Sequence, residues 1–283
     1  MKIHPVRTGL VKVRKPQMES RGTGIARMGH MLFDDEWSEW LPIYAWVIEH
    51  DEGVIVVDTG ETARVHERGY HPRWHPFYRL AAQFTVHPDE ELGPQLRRLG
   101  IGARDVKDVV LTHLHTDHAG GLVHVTDACA WVAEGEFKRA HGAAGRIQGY
   151  LPHRWPKWWR PSFITFSRQA AFGPFSEAMP VTKRGDVVIV PTPGHTPHHV
   201  SVAVLGDPIL FLAGDTSYSE RLLMEGKVDG VSPNPAISAS TLNKILTLAN
   251  ERPTVYLPAH DPQSAARLDA RTCVQAMYAP ALT

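Results

Sequence analysis

The run Val109-Val110-Leu111-Thr112-His113-Leu114-His115-Thr116-Asp117-His118-Ala119-Gly120-Gly121 constrains the fold more than any other part of the chain. Its apolar start reads as a buried strand, and four side chains of metal-ligand type occupy the six positions 113–118. In an extended segment side chains alternate with period two, so His113 and His115 point to one side and Asp117 continues it. His118 joins them only if the chain turns, and Ala119-Gly120-Gly121 permits a tight turn into a helix. Imidazole nitrogen and carboxylate oxygen both ligate zinc and similar ions at about 2 Å. Four such groups packed this closely cannot all close one tetrahedron, and the spacing hints at two metals. The bland alternative is a polar loop with chance histidines in a chain that holds 17 of them. That alternative does not explain the rest of the pattern.

The remaining candidates arrive in the same way, each on a loop directly after an apolar strand. His195 follows 187–190 through Pro191-Thr192-Pro193-Gly194, Asp215 follows 209–212, and His260 follows 255–257. Loops at strand ends on a rigid sheet are where a multi-metal site can be held. Asp58 follows 54–57 in the same manner, within Val57-Asp58-Thr59-Gly60. Each half of the chain thus runs an apolar strand into Asp-Thr (58–59, 215–216), then a helix, then an apolar strand into His113 or His260. This reads as an internal duplication, two β-rich halves whose active ends meet at one edge.

A chain of 283 residues fits a single large α/β unit, so 1–283 is expected to form one domain, with aromatic-rich insertions near 61–88 and 142–180. Lys+Arg and Asp+Glu balance at 30 each, which leaves no electrostatic basis for a nucleic-acid partner. Cys129 and Cys273 make neither a disulfide framework nor a zinc knuckle. The N-terminus lacks the apolar core of a signal peptide and no run approaches a membrane span, so the expected location is the cytoplasm. Residues 1–15 read as a strand or hairpin turning at Gly9, and 22–35 as an irregular loop. Strands are expected at 41–48 and 53–57, joined by a turn at Asp51-Glu52-Gly53. Helices are expected from an Asp89 cap to Gly100, over 134–141 and over 241–249. The rings of Trp155, Trp158, Trp159, Phe163, Phe166, Phe172 and Phe175 read as a lid or dimer contact over an apolar pocket. The alternatives for them are core packing, a single-stranded nucleic-acid site or a membrane-touching patch.

The set His-x-His-x-Asp-His (113–118), Thr-Pro-Gly-His (192–195), Gly-Asp (214–215) and His260, with Asp58 in Val-Asp-Thr-Gly, resembles the metallo-β-lactamase superfamily. These motifs span most of the chain in the expected order. The resemblance implies an α/β fold, the four-layer αβ/βα sandwich of two mixed β-sheets flanked by helices, with a two-metal site at one edge. By that resemblance His113, His115 and His195 hold one metal, Asp117, His118 and His260 hold the other, and Asp215 bridges the pair. Asp58 accepts a hydrogen bond and orients the ligands, while His199 is a structural hydrogen-bonding residue rather than a ligand. The implied cofactors are two Zn2+, with iron, cobalt or manganese as alternatives. Such a pair, roughly 3.5–4 Å apart, lowers the pKa of a shared water toward neutrality.

This superfamily does not fix a substrate. Asp215-Thr216-Ser217-Tyr218 is similar to the N-acyl homoserine lactone lactonases, in which the tyrosine hydroxyl sits by the metal pair. A phenol can donate to a developing oxyanion without a charge of its own. The likeness extends to His118-Ala119-Gly120-Gly121 and to 192–197, and departs at His198, where glycine is common, and at Thr116, where some lactonases carry phenylalanine. The implied function is a metal-dependent, quorum-quenching hydrolase that opens the lactone ring of N-acyl homoserine lactones by attack of a metal-bridging hydroxide. Asp117 and Tyr218 are its expected catalytic residues, Asp117 as proton shuttle and Tyr218 at the carbonyl. The alternatives are a glyoxalase II-like thioesterase or phosphodiesterase on the same site, and a non-catalytic or redox relative. The expected partners are a small-molecule lactone, its acyl tail lying against the aromatics of 70–84 and 150–175, and a second copy in a homodimer.

Overall fold

The computed structural model describes residues 1–142, 145 and 147–275. Residues 143–144 and 146 of the expected 142–180 insertion, and 276–283 of the expected 1–283 domain, lie outside the described residues. The first sheet holds β1 (Lys2–Val13), β2 (Leu41–Glu49), β3 (Val54–Val57), β4 (Ala82–Thr85), β5 (Val106–Val110), β6 (Cys129–Val132) and β7 (Ser162–Phe163). Its order is β4-β1-β2-β3-β5-β6-β7. The second holds β8 (Met179–Pro180), β9 (Val187–Pro191), β10 (Val200–Val204), β11 (Ile209–Gly214) and β12 (Thr254–Pro258), in the order β12-β11-β10-β9-β8. Both sheets are mixed. β3–β5 and β11–β12 pair in parallel, whereas β1–β2 and β9–β10 pair antiparallel.

Period-two alternation in β2 shows how the layers form. Trp46 and Ile48 point between the sheets, toward Ile189, Val202, Leu212 and Leu257, while Ala45 and Val47 point the other way. Under that outer face lie Leu92 and Leu96 of the helix Leu92–Arg98. Helix Pro235–Glu251 covers the second sheet with Leu242, Ile245 and Leu248 against Phe211 and Tyr256. The result is the helix–sheet–sheet–helix sandwich implied by the motifs.

Several local expectations change. Gly9 is not a turn: β1 runs through it with a register shift between Arg7 and Leu10. At Gly9 φ is +132°, and a Cβ would lie 2.6 Å from Val86 Cγ2. Residues 24–33 form a helix, Gly24–Phe33, with no buried side chain. Its Ala, Arg, Met and Leu residues favour helix, a preference masked in sequence by Gly24 and Gly29. Asp89 pairs with Arg98 at 2.9 Å instead of capping, and Glu91 takes the cap position. The helix expected at 241–249 begins earlier because the Asn234 side chain accepts from the N–H groups of Ala236 and Ile237 ahead of Pro235. Among the described residues no helix is long and apolar enough to cross a membrane.

The two parallel strand pairs bring their C-terminal ends to one edge. The internal rhythm is reproduced there: β3 and β5 lead into Asp58 and His113, and β11 and β12 lead into Asp215 and His260. Backbone bonds tie the edge across the sheets, from Tyr44 N–H to Ala259 O at 3.0 Å and from Val200 N–H to Thr112 O at 2.9 Å. The turn after His118 packs directly on the Asp58 loop. A Cβ at Gly121 would lie 2.1 Å from Thr59 O, so only glycine fits there.

Candidate metal centre

All seven expected ligands meet at this edge. His113, His118, His195, Asp215 and His260 are buried, while His115 and Asp117 are partly open. His113 Nε2 and His195 Nε2 lie 3.0 and 3.1 Å from His115 Nδ1. Asp215 Oδ1 is 3.3 Å from His118 Nε2 and 3.4 Å from His260 Nε2, and its Oδ2 is 3.5 Å from His195 Nε2. Asp117 Oδ2 is 3.5 Å from His260 Nε2, and Oδ1 is 4.0 Å from His118 Nε2. The trios His113–His115–His195, His113–His118–Asp215 and Asp117–His118–His260 can each converge on a cation.

The outward nitrogens decide where the protons sit. His118 Nδ1 faces Asp58 Oδ2 at 2.8 Å, His260 Nδ1 faces Pro42 O at 2.8 Å, and His115 Nε2 faces Gln148 O at 3.1 Å. His195 Nδ1 lies 3.4 Å from Asp229 Oδ2. His113 Nδ1 lies 3.1 Å from Thr112 Oγ1, which spends its own proton on Asp58 Oδ2 at 2.9 Å and so accepts. With a hydrogen-bond acceptor behind four rings and the Asp229 carboxylate 3.4 Å behind the fifth, the outward nitrogens are placed to carry N–H and the five inward ones to offer lone pairs. Those lone pairs and the Asp215 and Asp117 oxygens face one another, and His118 Nε2 and Asp215 Oδ1 are buried without a hydrogen-bond partner. Such a donor set fits divalent metal. Without metal, burial pushes the His118 pKa down, but the Asp215 and Asp58 carboxylates outweigh burial and hold it well above the usual histidine value. Metal uptake therefore displaces protons and weakens as pH falls.

Asp58 and His199 stand where the sequence placed them. Asp58 accepts from Thr112 N–H at 2.8 Å as well as from His118, in a left-handed conformation with φ +58°. His199 Nε2 accepts from the Asp215 N–H at 3.1 Å, and its Nδ1 lies 2.9 Å from Thr192 Oγ1. Burial pushes its pKa down to about 3, which suits a neutral ring accepting from the Asp215 backbone.

Three acidic residues that sequence reasoning missed also support the site. Asp229 backs His195. Glu136 accepts from Leu114 N–H, Tyr150 Oη and Thr196 Oγ1. Glu61 is fully buried and accepts from Thr62 N–H at 2.8 Å, Tyr70 Oη at 2.8 Å and Thr116 Oγ1. Glu61 and Glu136 each stand four residues past the end of an apolar strand, at Val57 and Val132, which was the available signal for them; Asp229 has none. Burial pushes the Glu61 carboxyl up to about 8, with the three hydrogen bonds acting in the opposite direction. From the ordinary carboxylate range up to that value, the folded chain keeps a proton that the unfolded chain releases. The stabilisation is whole below the unfolded pKa and is lost as pH rises through the folded one. Metal-free protein is thus expected to lose up to about 1.4 kcal/mol of stability per pH unit across this window from Glu61. Glu61→Gln should flatten that decline in urea unfolding; parallel slopes for the two proteins would rule out a protonated Glu61.

Tyr218 is buried beside the cluster. Its ring stacks on His260 at 5.5 Å between centroids and 20° between planes, and lies 6.5 Å from His195. Gln17 Nε2 donates to the phenol oxygen at 2.9 Å, which leaves the phenol proton free. Burial raises the phenol pKa well above its usual value, so that proton is retained. A cleft of about 360 Å³ opens from Asp215, His195 and Tyr218 outward. Phe77, Tyr78 and Phe84 line it as expected of 70–84, but from 150–175 only Tyr150 does. Other rings of that stretch pack away from it or stay exposed: Phe175 stacks on Phe211 at 6.0 Å, Trp155 and Trp159 surround Phe137 at 6.0 and 5.8 Å, and Trp158 is exposed. Helix Gly24–Phe33 supplies the missing wall with Arg27, Met28 and Met31. Thr116 also lines the cleft, whereas exposed His198 lies over Gly135.

Comparison with known proteins agrees with this geometry. The family model described as the metallo-beta-lactamase superfamily matches residues 38–260. The N-acyl homoserine lactonase AttM of Agrobacterium fabrum is 25% identical over 233 residues, covering 79% of this chain and 83% of that one. The N-acyl homoserine lactonase AiiA of Bacillus thuringiensis subsp. kurstaki is 24% identical over 225 residues, 78% and 82% of the two chains. Among solved structures, an N-acyl homoserine lactone hydrolase with N-hexanoyl-L-homoserine at its catalytic metal centre superposes with TM-score 0.74 at 19% identity, covering 96% of each chain. The dizinc quorum-quenching lactonase AidC superposes with TM-score 0.59 at 16% identity, covering 92% of this chain and 87% of that one. At these identities the structural likeness is one of fold.

Proposed function

The chain belongs to the metallo-beta-lactamase superfamily, and from that premise we propose that it is a metal-dependent hydrolase that opens the ring of N-acyl homoserine lactones. The observation that carries this reading is Tyr218, a proton-bearing phenol placed by Gln17 and His260 where the metal cluster meets an apolar cleft. The lactonase names of the relatives AttM and AiiA support it. In this reading His113, His115 and His195 hold one ion, Asp117, His118 and His260 hold a second, and Asp215 serves both. A bound pair, Zn2+ in the first instance, supplies Lewis acidity and lowers the pKa of water.

The chain's own residues do the rest. Tyr218 donates its O–H to the lactone carbonyl oxygen as negative charge builds there. Asp117, the more open of the two carboxylates that face the histidines, accepts the proton that the attacking water loses as its oxygen bonds the carbonyl carbon, and returns it to the ring oxygen as the ring C–O bond breaks. Asp58, Asp229 and His199 keep the ligand rings and Asp215 in place. Phe77, Phe84, Met28 and Met31 receive the acyl tail and exclude water around it. The test is turnover of homoserine lactones of graded chain length by metal-loaded protein, with and without chelator, beside thioesters and phosphate esters. Chelator-sensitive ring opening is expected; no ring opening on any lactone would sink the proposal.

A further inference from the structure

Two arginines line the cleft with nothing to bind. Arg27 stands on helix Gly24–Phe33 and Arg139 on helix Glu134–His141, on chain segments far apart in sequence. Nε and Nη1 of Arg27 and Nε of Arg139 are buried and have no hydrogen-bond partner. Among the described residues neither side chain forms an ion pair, and every Asp and Glu of the chain is described. Other buried arginine nitrogens among the described residues are matched: Arg154 holds the Tyr70 carbonyl and Arg267 holds Asp261, and only Arg27 and Arg139 bury guanidinium nitrogens without a partner. Buried donors without acceptors are rare in folded proteins and call for a cause.

The surroundings sharpen the question. Arg27 shares its wall with Met28 and Met31, and Arg139 sits near Tyr150 and Thr196. In so apolar a cleft a guanidinium gains much from an oxygen acceptor and little from anything else. A plain N-acyl homoserine lactone brings two carbonyls. The lactone carbonyl goes to the reacting centre, and the amide carbonyl oxygen, with two lone pairs, leaves at least one of the three buried guanidinium nitrogens unmatched. We propose that the cleft is built for a lactone whose acyl chain carries a further oxygen acceptor, a keto or carboxylate oxygen, and that Arg27 and Arg139 read the chain's acceptors. This rests on the lactonase reading and narrows its substrate class.

The experiment compares three homoserine lactones of equal chain length, with a plain, a 3-oxo and an ω-carboxy acyl chain. Each is assayed with metal-loaded wild type, Arg27→Met, Arg139→Met and the double variant. Calorimetric binding of the three ring-opened products provides a readout independent of turnover. Wild type is expected to favour at least one acceptor-bearing chain by about tenfold in kcat/KM, through KM, with the same order in product binding. A larger gain for the carboxylate assigns charge pairing, and a larger gain for the keto chain assigns hydrogen bonding. Each single variant should lower that ratio, and the double variant should bring it close to one. Equal kcat/KM for all three chains in wild type, or an undiminished ratio in a folded double variant, overturns the arginine assignment and leaves the lactonase reading intact. Failure to open any of the three lactones overturns the lactonase reading itself.

Discussion

Asp215→Ala is expected to yield a folded protein that retains little metal and has lost about a thousandfold or more in kcat/KM. Loss of a group that merely supports a ligand costs about 10–100-fold in metal affinity or activity, and Asp215 is more than a support. It is the one carboxylate whose two oxygens address both histidine groups, Oδ1 toward His118 and His260 and Oδ2 toward His195. Burial alone would raise its pKa, but His260 and His118 outweigh burial and hold the carboxyl well below the usual range. Without it, five inward nitrogens face each other with only Asp117 to balance a cation, so both ion positions weaken together. Metal analysis after desalting, with circular dichroism to show that the sheets persist, separates this from unfolding. Asp58→Asn makes the informative contrast, because among the described residues the Asp58 carboxylate bonds only Thr112 and His118 and its loss should fall in the milder range. An Asp215→Ala protein with full metal content and activity within tenfold of wild type would refute the shared role.

How much of this was legible before the fold was known follows from the range of each interaction. The ligands could be read because the signal is local: an apolar run of four or five residues soon followed by His or Asp marks a strand end, within three residues at Asp58, His113, Asp215 and His260 and after the Pro-Thr-Pro-Gly turn at His195. The unbroken apolar run of 41–48 declared a strand buried on both faces in the same way. Long-range partners left no such mark. Gln17 and Tyr218 are 201 positions apart and meet only because β1 leads into a segment held against the loop at 228–230. Nothing local in the sequence sets Arg27 and Arg139 apart from other arginines, because the cleft they line is assembled from segments far apart in the chain. Gly9 reads as a turn because a glycine bulge and a glycine turn look alike in one sequence. The rings of 150–175 misled for a related reason, since an aromatic that packs against Phe137 or Phe211 carries no different local pattern from one that lines a pocket.

Tyr218→Phe removes a single oxygen, and the expected result is a kcat lower by about 10–100-fold with metal content unchanged. The geometry makes the substitution clean. The ring is held by stacking on His260 at 5.5 Å and by burial among Val11, Val13 and Leu222, contacts that phenylalanine keeps. What it loses is the O–H that Gln17 leaves unengaged by donating to the phenol oxygen. Because that proton acts on charge present only as the carbonyl is attacked, its loss should fall on kcat and leave KM nearly unchanged. The phenol pKa is held well above its usual value by burial, so Tyr218 does not titrate over the working range. The pH–rate profile of the variant should then keep the wild-type shape at a lower height. A changed profile would make Tyr218 a proton-transfer residue instead of a hydrogen-bond donor, and an unchanged kcat would remove it from the reaction. Gln17→Leu sharpens the distinction: it spares the phenol but frees its orientation, so a smaller fall in kcat is expected, again without loss of metal.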